Sequence, residues 1–116
     1  MVGPTCNEGA TWILTHDFTH KTHIVIFGVH YPRSLPDWSS DDWITFVYGA
    51  FDLMHKDART VTGHTFLQGT RYTPQGAHLR LPALNSELHA GAAKLDAWLK
   101  SKGFSIPYRV EERQCC

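Results

Sequence analysis

Histidine is the side chain whose ordinary pKa lies nearest neutrality, and this chain carries eight of them. Two sit where proton transfer could be done. His30 closes the apolar run Ile24-Val25-Ile26-Phe27-Gly28-Val29, and His64 shares one side of an expected strand with Phe66 and Gln68. Either could act as a general acid or base beside an apolar pocket, and His64 could instead be a core histidine satisfied by a backbone carbonyl. His16, His20 and His23 follow one another at i, i+4 and i+7. On a helix that spacing would hold three imidazoles on one face, able to bind zinc or another divalent metal, the one cofactor these residues suggest. Spread over strand, loop and strand, the same residues would be separate surface histidines. Arginine supplies the third constellation: Arg71, Arg80, Arg109 and Arg113 fall in expected strands opposite the core side, with His78 among them. Planar guanidinium groups bind phosphate or carboxylate in bidentate fashion and stack on bases, so Arg71, His78, Arg80 and Arg109 are the candidate ligand-binding residues. The alternative is an Arg/Glu-laced sheet face with Glu111 pairing across strands.

The elements that must position these groups can be read from periodicity. Residues 1 to 10 hold a glycine, a proline and an asparagine before any pattern starts and are expected to be an irregular arm. Residues 11 to 113 then form one α+β domain, with 114 to 116 as a tail. Thr11 to His16 and Thr22 to Tyr31 read as strands, the second apolar on both alternating sets. Ser39-Ser40-Asp41-Asp42 supplies hydroxyl caps and first-turn acids, after which Trp43, Phe46, Val47, Ala50, Phe51 and Met54 keep helical spacing to about residue 56. Residues 60 to 72 are rich in Thr, Val, Phe and Tyr, and Thr73-Pro74-Gln75-Gly76 predicts a hairpin turn. A second helix is expected over 85 to 102, capped by Asn85, with Leu88, Ala92, Leu95 and Leu99 on one face and Gly103 beyond its end. Ser105 to Arg113 alternates like a strand, with Ile106, Tyr108 and Val110 inward. The order βαββαβ predicts a ferredoxin-like (split βαβ) two-layer sandwich, an antiparallel sheet with two helices on one face and an extra N-terminal strand or hairpin. The expected core includes Trp43, Phe46, Val47, Ile24 or Val25, Leu88, Leu95, Leu99, Ile106 and Tyr108.

Composition limits the functions open to the chain. Its 116 residues are one domain's length, and equal numbers of basic and acidic groups, 11 each, announce no bulk positive field. No run is long and apolar enough to span a bilayer, so no membrane partner and an intracellular, cytoplasmic setting are expected. Three cysteines, two of them adjacent (Cys115 and Cys116), do not read as a disulfide scaffold. No phosphate loop, dinucleotide fingerprint or nucleophile elbow is present. The string Thr62-Gly63-His64-Thr65-Phe66-Leu67-Gln68-Gly69 resembles the His-Leu-Gln-Gly motif of rolling-circle replication initiators, which implies a histidine and a nearby acid holding a divalent metal. It departs from that motif at Phe66, which stands in the slot of the metal-binding histidine, and no Tyr-x-x-Lys helix follows. The readings that stay open are a binder of nucleic acid or another phosphate-bearing ligand through an Arg/His sheet face, with metal-assisted phosphodiester chemistry near His64 and Asp57; a homodimeric enzyme or binder of a small, organic or anionic, molecule using His64 or His30; and a non-catalytic, inhibitor-like partner protein. A homo-oligomer is the expected assembly.

Overall fold

The computed structural model describes residues 1–7, 11–35, 39–63 and 80–114. They contain, in chain order, strand β1 (Val2–Cys6), helix α1 (Thr22–Phe27), helix α2 (Ser40–Gly49), strand β2 (His55–Thr62) and helix α3 (Leu81–Ser101). β1 and β2 pair in parallel, Val2 opposite His55 and Cys6 opposite Thr62, with a register shift between Pro4 and Thr5. Parallel partners need a long crossover, which α1 and α2 provide. The expected antiparallel ferredoxin-like sheet is therefore corrected: among the described residues there is one two-stranded parallel sheet, and the supposedly irregular arm supplies one of its strands. The hairpin expected around Pro74 lies outside the described residues.

Segment 22–31, expected as a central strand, instead forms α1 over 22–27 and a loop beyond it. Its β-branched residues favour a strand locally. A helix, however, brings His23 and Phe27 to one side at i and i+4, where both are buried and their ring centroids lie 4.8 Å apart. Gly28 ends the helix at φ 74°, its N–H donating to the Ile24 carbonyl. Ile24 and Val25 consequently face outward, 48% and 74% exposed, rather than joining the core.

α2 begins near the expected point, with Asp41 and Asp42 in its first turn, but stops at Gly49. Asp52 adopts φ 57°, and the Leu53 N–H reaches back to the Tyr48 carbonyl, a Schellman-like closure that ends the helix before the apolar spacing does. α3 starts earlier than expected because Pro82 fits the first turn of a helix. Leu84, Leu88, Ala92, Leu95 and Leu99 line its buried face and pack with Trp43, Ile44 and Val47 of α2. The two helices approach closely at Gly91, where an added Cβ would lie 3.0 Å from Val47 Cγ2 and 3.1 Å from Trp43 Nε1.

Residues 104 to 114 form no strand. The chain packs against α2 and α3 without regular structure, with Tyr108 stacked on Phe51 at 4.4 Å and the Arg113 guanidinium 4.1 Å above the Phe46 ring. Ile106 and Val110 pack at the edge of the core, while Tyr108 stays 40% exposed. Asn85 does not cap α3. Its side-chain amide donates to the Arg113 carbonyl (3.0 Å) and its oxygen accepts from the Arg113 N–H (2.8 Å), taking the role a neighbouring strand would have had. No described helix is long and apolar enough to cross a membrane.

Candidate functional site

Two loops converge on one carboxylate. The chain after residue 11 is fixed at Leu14, whose N–H donates to the buried Thr45 hydroxyl, and at Phe18, which exchanges two backbone hydrogen bonds with Val2 at 3.0 and 2.7 Å. Asp17 sits between these anchors with its side chain only 2% exposed. The second loop leaves α1 at Gly28 and carries His30 and Tyr31. The Tyr31 hydroxyl donates to Asp17 Oδ1 at 2.6 Å. Burial first, and then this hydrogen bond and the charge of Asp17, raise the Tyr31 phenol well above its ordinary value, so it stays a fixed donor. His30 approaches from the other side, with Nε2 3.2 Å from Asp17 Oδ2. That approach has ion-pair distance without hydrogen-bond direction, so the buried Oδ2 accepts no hydrogen bond.

His23 holds the second loop from beneath. It is 1% exposed, and burial lowers its pKa, so at neutral pH the ring is uncharged. Its Nε2 lies 2.8 Å from the His30 carbonyl, which can only accept, and its Nδ1 lies 2.8 Å from the Tyr48 hydroxyl. The tautomer follows: Nε2 carries the proton and donates, and Tyr48 donates to Nδ1. Burial, and secondarily Asp17, push the Tyr48 phenol up to about 12, which keeps that proton in place. The His23 and His30 rings are 5.2 Å apart, and Tyr31 packs edge-on against His30 at 4.3 Å.

His30 is thus backed on one side and open on the other. Its side chain is 44% exposed, and its Nδ1 has no hydrogen-bond partner among the described residues. In the tautomer with the proton on Nε2, that N–H lies beside Asp17 at ion-pair distance and the Nδ1 lone pair is left without a described partner. Such a pair could divide the work as a Ser-His-Asp arrangement does, with the two ring nitrogens exchanged: a buried carboxylate beside the ring can balance the imidazolium formed when the other nitrogen takes a proton. Asp41 is also close enough to feel the Asp17 charge, and its carboxyl is raised mainly by burial.

The other expected site residues are not gathered here. His16 Nδ1 bonds the Thr15 hydroxyl and His20 Nδ1 the Thr22 hydroxyl, both in exposed positions, whereas His23 is buried with both nitrogens engaged. Among the described residues no group of three His, Cys, Asp or Glu side chains is arranged to hold a metal ion. Arg80 precedes α3 and Arg109 lies in the C-terminal segment without regular structure, so neither is on a strand and the expected sheet face does not bring them together. His64, Arg71 and His78 lie outside the described residues. Asp17, Tyr31 and Tyr48 were missed by the sequence reading. Asp17 stands between two of the histidines read as metal ligands, but nothing in its spacing announces His30 as its neighbour.

The chain matches no family model, no curated protein and no solved structure. Its functional reading rests on this geometry.

Proposed function

We propose that the chain is a small-molecule enzyme that uses His30 as a general acid or base, with the Asp17 carboxylate beside it as countercharge. The supporting observation is the buried Asp17 carboxylate, with one oxygen held by Tyr31 and the other facing the Nε2 of a half-exposed histidine without a hydrogen bond of its own. Burying a carboxylate costs several kcal/mol unless it is paired, so a purely structural aspartate would be expected to have both oxygens satisfied. A countercharge that appears when His30 takes a proton gives the second oxygen a purpose. The step assigned to His30 is simple: Nδ1 takes a proton from substrate or from an attacking water, Asp17 stabilises the imidazolium across Nε2, and the proton is returned to the leaving atom. His23 is a positioning residue that holds the His30 carbonyl and so the loop.

A positioned base can be detected without knowing the natural substrate. 5-Nitrobenzisoxazole opens when a base removes the proton on C3, and its product absorbs visibly. The wild-type chain should open it faster than free imidazole, and His30→Gln should remove about 10²-fold or more of that excess. His89→Gln should leave it unchanged, because His89 is an exposed helix residue paired with Glu112. Equal rates in wild type and His30→Gln would refute the assignment.

A further inference from the structure

On the far side of the loop that carries His30, between the end of α1 and the flank of α3, lies a cavity of about 290 Å³ whose walls include Arg33 and Lys94. His30 is not part of its lining, so this site stands or falls apart from the proton-transfer reading. Phe27 and Trp43 form its aromatic side, their rings 5.2 Å apart and edge to face. Gly91 lines it through its backbone, the place of a Cβ being taken by Val47 and Trp43, and the Trp43 indole is locked there by its Nε1–H donating to the Glu87 carbonyl at 3.0 Å. Neither Arg33 nor Lys94 is paired with a carboxylate among the described residues. The one acid in the wall, Glu87, is bound by the Ser34 hydroxyl at 2.7 Å. Two cations against one carboxylate leave the cavity with an excess of one positive charge.

We infer that this cavity binds a small aromatic monoanion of the benzoate type, its ring against Phe27 and Trp43 and its carboxylate toward Arg33 and Lys94. The size argues for a ligand of one ring, since the volume sits at the lower end of those that hold organic ligands. The charge balance argues for a monoanion, because a dianion would meet Glu87 uncompensated. Arginine supplies the planar fork that a carboxylate matches, and lysine a mobile point charge.

The test uses the full chain and benzoate, benzamide and phenyl phosphate as probes, with the Trp43 indole N–H followed by NMR. Benzoate should shift that signal saturably, with half-saturation on the order of 1 mM, as suits a fragment of its size. Benzamide, isosteric but neutral, should bind at least about tenfold more weakly, and Arg33→Gln and Lys94→Gln should each weaken benzoate about threefold to tenfold. Glu87→Gln should strengthen phenyl phosphate more than benzoate. All three substituted side chains lie at the surface or at its edge, and an unchanged melting temperature confirms that the fold is kept. Equal binding of benzamide and benzoate, indifference to both cation substitutions, or no saturable shift with any probe would overturn the inference.

Discussion

Tyr48→Phe removes one oxygen from the interior and nothing else. That hydroxyl donates to His23 Nδ1 at 2.8 Å, Tyr48 is 8% exposed and His23 1% exposed, so water has little access to replace it. The ring still packs near Phe27, so the apolar area buried is almost unchanged. What remains is an acceptor nitrogen buried without a donor, at a cost of about 1–3 kcal/mol. For a chain of this length 2 kcal/mol lowers Tm by roughly 6–10 °C. Urea melts followed by tryptophan fluorescence, and calorimetry at pH 7.5 where His23 is neutral, measure the loss. The consequence for the site is indirect: His23 loses the contact that orients its ring, and the His30 loop should show faster amide exchange. Replacing His23 by Leu in the Tyr48→Phe background should cost less than the sum of the two single changes, because the unpaired nitrogen leaves with the ring. A Tyr48→Phe cost below about 0.3 kcal/mol, or strict additivity of the pair, would refute the hydrogen bond and the tautomer derived from it.

Asp42 gives a pH signature. Burial, and next the Asp41 carboxylate, raise it from 3.8 to about 6, against the opposing charge of Arg113. Between those values the folded chain keeps a proton that the unfolded chain has lost, so stability falls as pH rises from about 4 to about 6 and is level above. Discounted for solvent screening, the loss is on the order of 1 kcal/mol. Asp42→Asn should therefore be more stable than wild type at pH 7 and equal to it below about pH 4; a pH-independent difference in urea melts would contradict this. His23 works in the opposite sense: burial lowers its pKa from 6.5, so stability is lost as pH falls below 6.5, where the unfolded state protonates first. His23→Gln should lack that acid limb, and a limb of unchanged size would assign it to another group. Gly91→Ala places a Cβ 3.0 Å from Val47 Cγ2, so overpacking of about 1–3 kcal/mol should outweigh the ~1 kcal/mol gain in helix propensity. A stabilised variant would show that α2 and α3 separate freely.

Helices were legible where one face carries the signal alone. Leu88, Ala92, Leu95 and Leu99 announced α3, and Gly103, at φ 85°, sits where the stop was expected. Thr22–Phe27 was not legible, because its β-branched residues state a local preference that His23 and Phe27 overrule through contacts with Tyr48 and Trp43. Ile106, Tyr108 and Val110 alternate as a strand would, yet the described partner of that segment's end is the Asn85 amide, which no alternation rule registers. Of the site, His30 was visible as a histidine ending an apolar run. Asp17 and Tyr48 were not, since a buried polar cluster is a property of three segments meeting and leaves no period in any one of them.

The proposed chemistry requires neutral His30 to carry its proton on Nε2, 3.2 Å from Asp17 Oδ2, and to leave Nδ1 free. Long-range ¹H–¹⁵N spectra of the imidazole rings, recorded at a pH where His30 is neutral, report which nitrogen is protonated. His30 should show a protonated Nε2 and a bare Nδ1, the same tautomer as His23, whose Nε2–H is fixed by the His30 carbonyl at 2.8 Å. A proton on His30 Nδ1 would set a lone pair against the Asp17 carboxylate and leave no base facing solvent, and the acid-base account would be wrong.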